Sequence, residues 1–270
     1  MKTNKEIEKI PVVIFALQER TVELCRLSFE KLGFKNIIIM DRNIGFSEKM
    51  LAFFKLINDS EENLFLRTDA DRIALPGIIE FCDMSIRDYG KIELLKDKKK
   101  FFITEGLGYE CFLSRKRYRA ATPHIYSREV MKYCIDNEDD MIKNVQKPES
   151  FIGGYFKKNH NALKNYEILT NIHEIEQYPS KMYQAFLNRI LRGHLSYYNL
   201  EEILNDKIYG YAMQKAISDS RQLAYQNKNK SMNYHNLELT DDRLLSLDKN
   251  LGKIKDQNKI IDNLMNRFKR

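Results

Sequence analysis

The chain has 270 residues, 43% of them hydrophobic, which suits one large folded core or a core with an appendage and excludes a wholly disordered polymer. No apolar run approaches a membrane-spanning length, and the polar start MKTNKEIEKI lacks the pattern of a secretory signal. Lys and Arg outnumber Asp and Glu by 45 to 38, but the surplus accompanies a general enrichment in Lys, Asn and Ile, and no basic stretch interleaved with aromatics suggests nucleic-acid binding.

The four cysteines, Cys25, Cys82, Cys111 and Cys134, are scattered, so neither a zinc site nor a disulfide framework is indicated and a reducing, cytoplasmic setting is expected. PVVIFAL (11–17) is an apolar run of strand length, and RTVELCRLSFEKLG follows it with helical spacing that stops at Gly33. NIIIMD (36–41) is the β-branched run of a buried parallel strand, and SEKMLAFFKLIND (47–59) returns to helical spacing with Ser47 as its N-cap. NLFLRTD (63–69) is a third strand, and PGIIEFCDMSI begins the next helix with its proline near the start. Strands are expected at 101–104 and 120–126, and a helix from Ser127.

Strand and helix alternating through short links imply a parallel sheet covered by helices, whose ligands gather beyond the carboxyl ends of the strands. Three polar clusters stand at those ends: QER (18–20), DRNIGFSEK (41–49) and DAD (69–71). From about 182 the pattern is nearly continuous helix, and 226–240 is a polar connector. Beyond it Leu244, Leu247, Leu251, Ile254, Asn258, Ile261, Met265 and Phe268 are spaced alternately three and four apart, a heptad repeat weakened at Gly252. Such a stripe either pairs with a second copy of the chain or docks on its own domain. The organisation is therefore 1–181 as the α/β domain, 182–225 as a helical extension, 226–240 as a linker and 241–270 as an amphipathic or coiled-coil helix.

An Asp-x-Asp step at a strand end offers hard oxygen ligands to a divalent ion, whose natural partner is a diphosphate. VVIFALQER, IIIMDRNIGFSEK and LFLRTDADRIALPG, in that order and spacing, resemble a glycosyltransferase of the GT-A fold, closest to family 2. The resemblance implies an α/β, Rossmann-like nucleotide-diphospho-sugar transferase domain with a DxD motif. It also implies a nucleotide-sugar donor, with UDP as its nucleotide, and a saccharide or lipid-linked acceptor in bacterial surface polysaccharide synthesis. The cofactor would be Mn2+ or Mg2+, and the enzyme would be cytoplasmic, with peripheral contact at the inner membrane surface open to it.

Carried over position by position, the resemblance makes Asp71 the direct metal ligand and sets Asp69 at the metal and toward the donor. Gln18, Glu19 and Arg20 fall in the turn that cradles the nucleotide, Asp41 at its base or ribose, and Asn43, Gly45 and Lys49 in the segment leading to the helix that faces it. Lys49 has the alternative of an exposed helix lysine. His173 in NIHEIEQYPSK would join the metal shell, with Lys181 reaching the diphosphate, while His124, His160, His194 and His235 read as structural or exposed. Glu149 in KPESFIGG would be the general base of an inverting transfer. The rival acids are Glu138, Asp139 and Asp140, Ser150 replaces the family's second acid, and a retaining enzyme would need no such base.

Two readings compete. A nucleotidyltransferase would carry a glycine-rich basic loop after the first strand, where ALQER has no glycine. A non-catalytic assembly protein would have no reason to keep three polar strand ends together.

Overall fold

The computed structural model describes residues 5–17, 19–41, 44–94, 100–113, 118–145, 147–226 and 241–268. Gln18 and Asn43, and nearly all of the expected linker, lie outside them. In chain order the elements are β1 (Val12–Phe15), α1 (Val22–Lys31), β2 (Ile37–Met40), α2 (Phe46–Lys55), β3 (Leu64–Asp69), β4 (Arg72–Ala74) and α3 (Gly77–Glu93). There follow β5 (Ile103–Glu110), β6 (Tyr118–Ser127), α4 (Arg128–Asp136), α5 (Pro148–His160), β7 (Leu163–His173) and α6 (Pro179–Leu191). Among the described residues four more α-helices follow: α7 (Leu200–Leu204), α8 (Gly210–Gln226), α9 (Asp242–Leu251) and α10 (Gln257–Arg267).

One seven-stranded sheet runs β2-β1-β3-β6-β5-β7-β4. β1, β2 and β3 are mutually parallel, as are β5 and β7, whereas β6 is antiparallel to both β3 and β5, and β4 to β7. Following these directions around the sheet, the last residues of β1, β2, β3, β5 and β7 all emerge at one edge. Phe15, Met40, Asp69, Glu110 and His173 are those residues. This is an α/β architecture with a parallel-rich sheet and a C-terminal helical extension, as the sequence implied.

Alternation along the strands divides the core. Val12, Ile14, Leu64 and Leu66 belong to the layer that holds α1, α3 and α10, while Val13, Phe15 and Phe65 belong to the layer that holds α2, α4 and α5. Phe53 and Phe54 each meet Tyr126 edge to face in the second layer, each phenylalanine contributing roughly 1.5–3 kcal/mol by burial. A third cluster joins α6, α8 and α9 around Phe186 and Met213.

Two sequence expectations change here. Helix α2 is capped by Gly45 rather than Ser47, because the Glu48 carboxylate accepts from the Gly45 N–H and starts the helix earlier. The heptad segment is not one helix. Gly252 at φ +56°, ψ −154° ends α9 in a conformation open essentially to glycine, and Asp256 at φ +52° restarts the chain as α10. Leu244 is buried against α6 and α8, and Ile254, Ile261, Leu264 and Met265 against the α1 layer, so the stripe docks on its own domain.

Candidate active site

Strand pairing assembles the polar edge. The turn after Asp69 sends β4 back along β7, where Arg72 pairs with His173, and β5 pairs Glu110 with the same histidine. Asp71, one residue before β4, is thereby brought against His173 with 3.1 Å between Oδ2 and Nε2. On the far side of the ring, Nδ1 stands 2.7 Å from Glu110 Oε2. Glu110 is wholly buried, and Arg72 Nη2 and Arg189 Nη2 lie 3.8 and 4.0 Å from its carboxylate. Arg189, from α6, holds Glu174 through two parallel bonds of 2.7 and 3.2 Å.

Charges set the protonation states. Burial pushes the Asp71 carboxyl up, but the His173 ring beside it, by charge and hydrogen bond, and then Arg72, outweigh burial and bring it down to about 2. Burial and Arg72 press His173 toward neutrality, and Asp71, Glu174 and Glu110 reverse this and raise it to about 9. Asp71 Oδ1 is buried and meets no hydrogen-bond partner among the described residues.

That oxygen bears on whether the residues fit a metal ion. Glu110, His173 and Glu174 offer ligand atoms all within 4.8 Å of one another. Glu174, however, is neutralised by Arg189, and Glu110 orients the imidazole from behind, as outer carboxylates do for metal-binding histidines. Asp71 Oδ1, and His173 Nε2 once the ring has lost its proton, remain as an oxygen and a nitrogen donor for a divalent ion. The residues fit a divalent ion.

A second cluster lies on the α2–α5 face of the sheet. Arg67 on β3, 1% exposed, reaches Asp69 Oδ1 with one nitrogen and Glu149 Oε2 with another at 2.7 Å. The rings of Phe15 and Phe46 lie 4.6 and 5.3 Å from its guanidinium carbon. His124 on β6, paired with Arg67 in the sheet, sits between Glu105 Oε2 at 3.2 Å and Glu149 Oε1 at 3.0 Å. The second is a contact of charges, since His124 Nδ1 lacks hydrogen-bond alignment. Asp69 is completed by the Thr122 hydroxyl at 3.2 Å. Burial pushes Glu149 up, and Arg67 and His124 overcome it and hold the carboxyl well below the usual range. Glu149 is thus ionised, as a base must be, but a weak proton acceptor while both partners hold it.

The other expected site residues fall as follows. Asp41 is exposed directly after β2. Lys49 is buried, not an exposed helix lysine, and donates to the Ala16 carbonyl just beyond β1, while burial lowers its pKa. Lys181, in the first turn of α6, lies near enough to Glu19 to oppose the rise that burial causes in that acid. Arg20 binds the tail and the segment after β7, with Nε donating to Gly252 O at 2.7 Å and Nη1 to Glu176 Oε2 at 2.8 Å. Of the rival acids, Glu138 and Asp139 pair with Lys143 at the surface, Asp139 being 73% exposed.

Sequence reasoning passed over Arg67, Glu110, His124 and Arg189. Arg67 had a signal, a cation inside the apolar run LFLRTD. His124, read as structural or exposed, is buried in the second cluster. Glu110 and Arg189 had no local signal, because only the β5–β7 register and the docking of α6 bring them to His173.

No family model matches the chain, and no curated protein matches it. Several solved structures are similar in fold at low identity. S. aureus TarS 1–349 in complex with UDP is 10% identical over 81% of this chain and 72% of that one, with a TM-score of 0.42. A glycosyltransferase involved in glycosylation of the major capsid of PBCV-1 is 12% identical over 62% and 93%, at 0.39. The 4-diphosphocytidyl-2C-methyl-D-erythritol synthase from Anaerococcus prevotii is 11% identical over 61% and 90%, also at 0.39.

Proposed function

We propose that this chain is a metal-dependent glycosyltransferase that moves a sugar from a nucleotide-linked donor, with UDP as the nucleotide, to a saccharide or lipid-linked glycan acceptor. The observation that carries it is the buried, unpartnered Asp71 Oδ1 beside a histidine braced by Glu110, at the edge where five strands end. Asp71 and His173 would hold a divalent ion, which would supply positive charge to a departing diphosphate. Asp69, fixed by Arg67 and Thr122, orients the donor from two residues earlier in the same turn. Lys181, at the start of α6, brings a cation to the diphosphate side, and Asp41 meets the nucleoside beyond β2. Glu149 takes the acceptor proton if transfer inverts configuration, which requires Arg67 or His124 to yield as substrate enters.

The test has two parts. Thermal unfolding is measured with UDP, with Mn2+ and with both, in the native chain and in Asp71→Ala. Stabilisation that needs both and vanishes in the variant supports the reading, and the absence of any nucleotide effect overturns it. A panel of nucleotide sugars is then screened for release of nucleoside diphosphate. Release of pyrophosphate from a nucleoside triphosphate and a sugar phosphate would instead identify a nucleotidyltransferase.

A further inference from the structure

The C-terminal tail is tied to the Asp-Ala-Asp turn by polar contacts of two neighbouring residue pairs, 20–21 and 176–177. On the tail's side are the carbonyls of Leu251 and Gly252, left open where α9 stops. Arg20 takes both, through Nη2 at 3.3 Å and Nε at 2.7 Å, a cation at a helix carboxyl end. Its remaining nitrogen, Nη1, binds the Glu176 carbonyl at 3.1 Å and carboxylate at 2.8 Å. The next residue on each side repeats the link, for Gln177 Nε2 donates to Thr21 Oγ1 at 2.7 Å. Thr21 in turn donates to the Ala70 carbonyl at 2.8 Å, the residue between Asp69 and Asp71. Thr21 is wholly buried and Gln177 is 3% exposed, so water does not compete for these bonds.

Two further observations point the same way. Glu174 and Glu176 both take positive φ, +62° and +55°, a conformation that costs a non-glycine residue and persists where its surroundings enforce it. Asp248 of α9 accepts from the Ser180 N–H at 3.0 Å, beside Lys181. The tail therefore meets the segment after β7 directly at Ser180 and through Arg20 at Glu176, on either side of Tyr178. It is itself held by the burial of Ile254, Ile261, Leu264 and Met265 against the α1 layer and by the Lys31–Asp262 ion pair.

We propose that the tail is a structural part of the donor site, and that Arg20 and Gln177 are positioning residues that transmit its hold to the Asp69–Asp71 turn and to the segment carrying His173 and Lys181. The ligand so positioned is a nucleoside diphosphate with its divalent ion, which rests on the reading given above. Arg20 then acts on the site from behind instead of touching the nucleotide.

The test uses the full chain with Arg20→Met, Arg20→Lys, Gln177→Leu and Gly252→Ala. Backbone hydrogen exchange is followed in 14–21, 69–72, 174–181 and 248–262, with α4 as the internal control of global stability. Exchange in 69–72 and 174–181 is expected to rise about tenfold in Arg20→Met and Gly252→Ala while α4 is unchanged, with Arg20→Lys between them and the native chain. A rise confined to 248–262 overturns the coupling. UDP titration with Mn2+ is the second arm, with an expected tenfold weakening in Arg20→Met and Gln177→Leu. Variants that bind UDP as tightly as the native chain refute the tail's role and leave the functional reading standing. A native chain that binds no nucleotide, yet shows the coupled exchange, refutes the functional reading and leaves the coupling supported.

Discussion

Arg67 is a cation inside the sheet, and its position explains both the strength and the fragility of the second cluster. It has 1% of its surface exposed and answers two carboxylates, so its loss leaves Asp69 and Glu149 to repel each other with only Arg72, 3.8 Å from Asp69, and His124, 3.0 Å from Glu149, as counter-charges. Arg67→Met is expected to destabilise the fold by about 3–5 kcal/mol in urea unfolding. Adding Glu149→Gln should recover part of that loss, and strict additivity of the two changes would show that the pair does not interact. Glu110 calls for a different outcome. It does not face the proposed ion but holds the imidazole that does, at 2.7 Å. Glu110→Gln is expected to weaken Mn2+ binding about 10–100-fold by calorimetry while His173→Ala abolishes it. Equal losses in both would place Glu110 on the ion.

At the scale of elements, α3 is fastened to β7 by Asp88, whose carboxylate meets Lys164 at 3.1 Å and the Tyr166 hydroxyl at 2.9 Å, with Lys91 at 3.0 Å on its own helix. Burial pushes this acid up, but the bonds to Lys91, Tyr166 and Lys164 prevail and bring it down to about 2 from an ordinary 3.8. A lowered carboxyl contributes stability that is complete above its unfolded value and disappears as pH falls through its folded one. Both lysines are open to solvent, so screening reduces the contribution to about 1–2 kcal/mol. Asp88→Asn should therefore unfold more readily than the native chain by a constant margin above pH 5, and the margin should close as pH is taken from 4 toward 2. A margin independent of pH would assign the effect to packing. The close approach of these two elements has a second cause at Gly77, where a Cβ would fall 2.2 Å from the Leu169 carbonyl oxygen.

For the molecule as a whole, the tail decides the state of association. A heptad stripe drives pairing only if its apolar positions remain available, and here Leu244, Ile254, Ile261 and Met265 are already inside the domain. The chain is expected to sediment as a monomer at micromolar concentration, with dimerisation appearing only if the tail is released by substitutions such as Ile261→Asp. A dimer of the native chain that Ile261→Asp dissolves would reverse this view. No helix among the described residues is long and apolar enough to cross a membrane.

By itself the sequence determined what short-range pattern can determine. The apolar runs ending in Asp69 and His173, the helices between them, and the polar strand ends were legible because period and punctuation are local properties. Glu149 and Lys181 could be named only through the family resemblance, which says nothing of their neighbours. Tertiary structure alone decided that Glu110 stands behind His173, that Arg67 and His124 lock Glu149, and that Arg20 serves the tail. Each of these depends on strand register or helix docking between residues far apart in the chain. The broken heptad shows the same division. Its spacing was plain in the sequence, but whether the stripe met a second chain or its own core depended on a surface that exists only once α1 has packed on the sheet.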